Sequence, residues 1–332
     1  MQWAKNGQLT RVYAKEPGFE LFADGEAGNQ LIAYEDKPAM FDAWDIDASY
    51  TEHFALVEDL ISVVVVENNA LRTIVRFTFS YGSSLLTQDM VFQRDDAAIL
   101  FQHIVDWHEH QRLLRAEFPL NITSDVAIFD IPFGNMARPT AHRTAFDQAR
   151  FEVPAHQWVD LSELGKGVSL LNDCKYGHSA KGNRLGLSLI KSAIDPDETA
   201  DQGEHRYTYA LLPHGGDWRA AGTHQRAAAL NHPTVIAQGI PAIPPKPLFL
   251  ISDALLGADA VKCSQSGNFV LLRLHEYGGK SREVTVESSF VILRFCECDL
   301  TETPIGEWTE GNRIRFTISP FEIKTFLVQI IE

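Results

Sequence analysis

Several things are scarce in this sequence, and each scarcity excludes something. Cysteine occurs four times in 332 residues (Cys174, Cys263, Cys296, Cys298), too few for a disulfide framework. Basic residues are in deficit: 29 Lys and Arg stand against 44 Asp and Glu, a formal charge of −15. Such a surface repels phosphate backbones and acidic lipid, so no nucleic-acid and no membrane partner is expected. Long apolar runs are missing too. The longest, Leu60 to Val66 with Ser62 inside it, falls far short of the ~20 residues that span a bilayer. The opening MQWAKNGQLTRVYAKEPG is polar and hairpin-like, not a secretory signal. A cytoplasmic location is the expectation. Gly215-Gly216 and Gly278-Gly279 stand outside any G-x-G-x-x-G or P-loop pattern, so nucleotide binding is unsupported. Helical patterns are rare; THQRAAALN is the best, with Thr223 as its N-cap and Pro233 as its stop.

What is present is strand. Val75, Phe77, Phe79 and Tyr81 alternate with Arg76, Thr78 and Ser80, a two-residue period that buries one sheet face. Ile314, Phe316 and Ile318 do the same among Arg313, Arg315 and Thr317. LISVVVV and FVLLRL have the β-branched and apolar bias of more deeply buried strands. Turn chemistry at Asn6-Gly7, Gly28-Asn29, Gly267-Asn268 and Gly311-Asn312 separates such runs. Many strands with almost no crossover helices predict antiparallel sandwiches. PAIPPKP can join neither a helix nor a central strand, so it marks a boundary. The expected organisation is a β-domain over 1–235, a Pro-rich linker over 236–247 and a small sandwich over 248–332. Strands in that last part are expected near 248–251, 269–276, 282–296, 313–318 and 323–331.

Side-chain clusters give weaker signals. WHEH at 107–110 lacks the H-E-x-x-H spacing; on a strand His108 and His110 would share a face, but no third ligand is identifiable. Cys296 and Cys298 share a strand face, with only Cys263 as a further thiol in that region, short of four zinc ligands. No metal is assigned to these residues. Two polar loops stand out. NDCKYG, with Asn172, Asp173, Lys175 and Tyr176, lies between GVSLL and LGLSLI and sets an amide, a carboxylate, an ammonium and a phenol at a sheet end. Such a set suits hydroxyl-rich ligands, although ordinary turn polarity accounts for it equally. PHGGDWR closes another strand, YTYALL.

The stretches RPTAHRTAFDQARFEVPAHQWVDLSE (138–163), GVSLLNDCKYGHSAKGNRLGLSLIKS (167–192) and DQGEHRYTYALLPHGGDWR (201–219) resemble the C-terminal β-region of family 38 glycoside hydrolases, the class II α-mannosidases. GNQLIAYEDKPAMFDAWDID (28–47), VDWHEHQRLLRAEFPLNI (105–122) and PFEIKTFLV (320–328) extend the likeness nearly end to end, and the cytosolic and bacterial branch is the most similar. The resemblance implies an all-β fold: a large galactose-mutarotase-like supersandwich followed by a smaller β-sandwich. It also implies a parent that is a retaining exo-α-mannosidase, acting through a carboxylate nucleophile and an acid/base carboxylate. Zinc or a similar divalent metal belongs to the parent's N-terminal catalytic barrel, with no cofactor in this chain.

Nothing in the 332 residues resembles that barrel or the helical bundle that follows it in the family. The chain therefore reads as a non-catalytic C-terminal piece, inactive alone, whose partners are the barrel, the bundle and a mannose-containing glycan. Removing them should leave an apolar or mixed patch beside the 172–177 loop. The resemblance sets that loop at the rim of the active site. Cys174 intervenes before Lys175 where relatives outside this branch carry a basic residue soon after the aspartate. Two other readings compete: a carbohydrate-binding module stacking sugars on Trp218 and Tyr176, and an aldose epimerase pairing His142 or His156 with Glu152 or Asp160.

Overall fold

The structure is a computed structural model that describes residues 1–236, 238–239 and 246–331. The Pro-rich linker expected over 236–247 falls largely outside the described residues. The chain divides into two compact units, one of Met1–Ile131 with Met136–Pro233, the other of Pro132–Asn135 with Thr234–Glu332.

The all-β expectation holds. The first unit is a large supersandwich built on a nine-stranded and a six-stranded antiparallel sheet. In spatial order the nine strands are Gly134–Pro139, Val126–Ile131, Trp158–Glu163, Lys166–Asn172, Gly203–Gly215, Ile99–Trp107, Ser84–Gln93, Arg72–Tyr81 and Asp59–Asn68. The six are Val153–Pro154, Gly177–Lys181, Arg184–Lys191, Arg112–Pro119, Gln30–Glu35 and Phe54–Leu56. Alternation decides what lies between the sheets: Val75, Phe77 and Phe79 from one meet Leu114, Ala116 and Phe118 from the other in one buried core. The opposite face of the six-stranded sheet is also covered. Leu113, Tyr34 and Ile32 there pack with Tyr50, so residues 36–52 form a lid over an outer sheet face.

The second unit is a smaller sandwich. A sheet of Phe249–Ile251, Arg282–Ser288 and Ile314–Ile318 faces one of Leu256–Cys263, Val270–Glu276, Ile323–Ile331, Val291–Cys298 and Thr309–Glu310. Leu272, Leu274, Phe326 and Val328 meet Val284, Val286 and Ile314 in its core. Glu276 is fully buried, yet its carboxylate accepts from the backbone N–H groups of Gly278, Gly279 and Phe321 and pairs with Arg282. A buried charge so surrounded staples one end of the unit.

Several expectations need correction. FVLLRL is largely buried in a central strand, but LISVVVV is not: Ile61, Val64 and Val65 are at least half exposed. Its strand Asp59–Asn68 is the last of the nine, and no strand among the described residues pairs with its outer flank. The run 282–296 is two strands, broken after Ser288 and resumed at Val291. Leu256–Cys263 is a strand that its sequence did not announce. His108–His110 lie beyond the strand Ile99–Trp107, in the turn that leads to Arg112. Among the described residues the α-helices are α1 (Ala145–Ala149) and α2 (Thr223–Asn231). Gly222, at φ 63°, occupies the N-cap of α2; the Thr223 hydroxyl instead contacts Ser169 Oγ at 2.8 Å.

Candidate functional site

The loop between Lys166–Asn172 and Gly177–Lys181 splits its four polar residues into separate environments. Asn172 is fully buried. Its Nδ2 donates to the His156 carbonyl at 3.0 Å and its Oδ1 accepts from the Lys175 N–H at 2.7 Å. The Asn172 carbonyl in turn accepts from Asn231 Nδ2 on α2 at 2.9 Å. Both Asp173 carboxylate oxygens accept from the Thr208 N–H at 3.0 Å, tying the loop to Gly203–Gly215. Cys174 beside it is no ready nucleophile: burial and Asp173 push its thiol up to about 11. Lys175 points its ammonium over the Tyr207 ring, 4.8 Å from the centroid. Tyr176 turns the other way. It is 56% exposed, with its ring centroid 5.4 Å from that of His156.

Tyr176 forms one wall of a cleft of about 420 Å³ that also has Trp44, Asp45, Phe151, Glu152 and Pro154 in its lining. That volume and mixed lining fit a small-molecule site. Trp44 belongs to the lid and is 73% exposed. The lid is held rigidly from below. Buried Asp36 accepts from the Asp47 N–H at 2.9 Å and pairs with Lys191. Burial raises the Asp36 carboxyl above its ordinary range even so. Asp42 accepts from the Ile194 N–H at 2.8 Å. Between these anchors Met40, Phe41 and Trp44 all face solvent. An exposed tryptophan on an anchored loop is unfavourable unless something packs on it.

The cleft floor is a buried ion network. Arg115, wholly inaccessible on the outer face of Arg112–Pro119, pairs with Glu152, lies 3.6 Å from Glu117 and donates to Ser188 Oγ at 2.8 Å. Taking a guanidinium out of water is tolerable only with such compensation. Tyr34 completes it by donating to Glu117 at 2.7 Å. Two glycines make the room. A Cβ on Gly186 would lie 2.4 Å from the Arg115 guanidinium, and one on Gly177 would lie 2.2 Å from Glu152 Oε1. The last residue of NDCKYG is therefore glycine for a packing reason. Glu152 is held by Arg115 on one side and exposes part of its side chain to the cleft on the other.

Other clusters do not make sites. Asp160, Ser169 and His214 look triad-like, but the same His214 Nε2 faces both Asp160 Oδ2 (2.7 Å) and Ser169 Oγ (3.1 Å). A relay needs the two partners on opposite ring nitrogens, and all three residues are buried. Trp218, expected to stack sugars, is 1% exposed and lies 5.0 Å from the Trp158 ring; burial removes it from that role. Of the epimerase residues, His142 lines a pocket apart from the cleft of Glu152 and Asp160 lies in the core, while the His156 ring lies beside Tyr176 of that cleft. Among the described residues no three His, Cys, Asp or Glu side chains gather as a metal requires. The residues present therefore do not fit the zinc that the family implies, and no step here passes through a metal. No helix among the described residues is long and apolar enough to cross a membrane.

The likeness noted in the sequence can now be weighed against known proteins. Residues 1–199 match the glycosyl hydrolases family 38 C-terminal domain, and residues 257–326 match the C-terminal beta sandwich domain of the same family. The chain belongs to glycosyl hydrolase family 38. Within that family it is 36% identical over 335 residues to alpha-mannosidase 2C1 of Homo sapiens, covering 97% of this chain and 32% of that protein. Alpha-mannosidase G of Dictyostelium discoideum is 32% identical over 338 residues, with 97% and 31% covered. Among solved structures, an alpha-mannosidase from Enterococcus faecalis V583 shares the fold at a TM-score of 0.77 and 15% identity, over 98% of this chain and 40% of the other. The chain spans about a third of the length of the curated relatives it matches.

Trp44 is the cleft residue that sequence reasoning passed over, and Glu152 entered it only as half of an epimerase pair. Trp44 sits in a loop without periodicity, and Glu152 is one of 44 acids. The usable signal was FDAWD, a tryptophan among carboxylates in a stretch too polar to be core.

Proposed function

We propose that this chain is the non-catalytic β-region of a retaining exo-α-mannosidase, and that its cleft forms part of the wall around the sugar site of a catalytic barrel outside these residues. The observation that carries the reading is that solvent-facing Trp44 and Tyr176 line one cleft together with Glu152. Flat aromatic faces take the apolar side of a pyranose ring, and a carboxylate with free lone pairs accepts from its hydroxyls. Asn172 and Asp173 act as positioning residues that fix the loop and Tyr176 stands at the rim, while Lys175 turns its ammonium over Tyr207. Exposed Met40 and Phe41 supply the apolar surface against which the barrel and bundle would pack. In this reading the zinc or similar divalent metal, the nucleophile and the acid/base belong to the barrel, and the parent works on terminal α-linked mannose in the cytoplasm.

The assay is turnover of an aryl α-mannoside by the purified 332-residue chain and by the full-length parent. The chain alone should be silent and the parent active. Chelator-sensitive turnover by the chain itself would defeat the proposal. A second reading, a carbohydrate-binding module, keeps support from exposed Tyr176. It differs in requiring the isolated chain to bind mannosides, which calorimetry decides.

A further inference from the structure

The stretch Arg138–Arg150 reverses the charge of the rest of the chain. It holds Arg138, His142, Arg143 and Arg150 against one acid, Asp147, within a sequence of net charge −15. Three of those basic groups converge. Arg138, His142 and Arg150 line a pocket with Phe129, Ser179 and Val153, and the carboxylate Asp147 lines it too. It lies where the terminal strands Gly134–Pro139 and Val153–Pro154 of the two sheets approach α1.

Neither arginine has a carboxylate partner among the described residues. Each rests on an aromatic face instead, with Arg138 Cζ 5.5 Å from the Phe129 centroid and Arg150 Cζ 3.9 Å from that of Phe146. Such contacts hold the cation but leave the N–H donors unused. Arg138 Nε is buried without any hydrogen-bond partner, which costs stability unless a ligand satisfies it. Asp147 does not fill the role, because its Oδ2 accepts from the Thr144 N–H (3.1 Å) and hydroxyl (2.7 Å) in a helix cap. Ser179 Oγ accepts from Arg115, leaving its own O–H hydrogen to donate. Burial and the neighbouring Arg150 lower the pKa of Arg138, consistent with two cations that lack a counter-charge. The pocket holds about 30 Å³, room for roughly two water-sized groups. Two oxygens of a tetrahedral anion would fit inside, with the others in the mouth.

We propose that Arg138, Arg150 and His142 form an oxyanion site for a phosphate group. Planar guanidinium forks that carry no carboxylate suit phosphate oxygens. The site does not rest on the mannosidase reading. It is tested on the purified 332-residue chain by calorimetry at constant ionic strength, with inorganic phosphate, a hexose 6-phosphate and acetate as separate titrants. Inorganic phosphate should bind saturably at one site. Arg150→Gln, which lies on the surface, and Arg138→Gln should each weaken it by about ten-fold, while Arg206→Gln should not. If Arg138→Gln fails to fold, Arg150→Gln carries the test. Tighter binding of the hexose phosphate assigns an ester as the natural ligand, and weaker binding assigns the free ion. Binding of acetate alone, absence of phosphate binding, or phosphate binding that survives Arg150→Gln would overturn the proposal.

Discussion

Asn172 and Asp173 lie within four residues of Tyr176 on the same loop, yet they face opposite problems. The first two turn inward, and every polar atom that could greet a ligand is already bonded to backbone. Tyr176 turns outward into the cleft, where it meets Trp44 from a loop 132 positions earlier in the chain. Beneath both, Arg115 and Glu152 form a floor that is part scaffold and part cleft. A polar loop at a sheet end is thus two devices. Its inner half makes the geometry rigid, and its outer half is left free to touch something. The two halves should answer mutation differently: inner changes lower stability, outer changes alter function.

The floor should give the largest effect. Arg115→Leu leaves the half-buried Glu152 without its cation and buried Glu117 with Arg184 alone, which should cost about 3–5 kcal/mol of stability, read as a fall in the chemical-denaturation midpoint. A neutral result would remove the ion network from the scaffold. Next is Asn172→Ala, which leaves the Lys175 N–H and the His156 carbonyl short of partners in a buried place. A loss of roughly 2–4 kcal/mol is expected, with kcat/KM of the folded parent little changed. A normal denaturation midpoint with impaired turnover would reverse the division proposed for this loop.

Acid should also weaken the inner half, in the same pH window in which buried His103 costs stability. Burial holds the His178 imidazole, whose Nδ1 lies 3.3 Å from the Tyr176 carbonyl, down at about 4. In the unfolded chain it returns to about 6.5. Between these values the unfolded state binds the extra proton, so stability is intact above about pH 6.5 and falls as pH drops towards 4. The expected loss at pH 4.5 is about 2–3 kcal/mol from this group. His178→Gln should flatten the slope, and an unchanged slope would exclude His178 as its source. Smaller still is Asp173→Asn. The amide oxygen can still accept from Thr208, so about 0.5–1.5 kcal/mol should be lost.

The fold was legible because strands announce themselves by alternation. Val75, Phe77 and Phe79 occupy the core face that their period demanded. Burial was less legible, because it depends on sheet position. LISVVVV and FVLLRL read alike, but one forms the edge of nine strands and the other a central strand of five. The break at Ser289-Phe290 was hidden by apolar residues on both sides. At the site, the sequence pointed to the right loop but could not say which side chains turn outward. Lys175 and Tyr176 are neighbours that point apart. Trp44 and Trp218 reversed roles for a related reason. Trp218 belongs to a turn that folds back on Trp158, whereas Trp44 belongs to a lid anchored by Asp36 and Asp42 and faces solvent.

The outer half is best tested by Trp44→Ala and Tyr176→Ala in the full-length parent, measuring kcat/KM on an aryl α-mannoside and a mannose-terminated oligosaccharide alongside the melting temperature. Neither side chain is in the core, so stability should stay within about 0.5 kcal/mol of the parent. Loss of a stacking contact should lower kcat/KM by about two- to ten-fold for each variant. Unchanged kcat/KM on both substrates, with the protein folded, would contradict the claim that this β-region helps to form the sugar site.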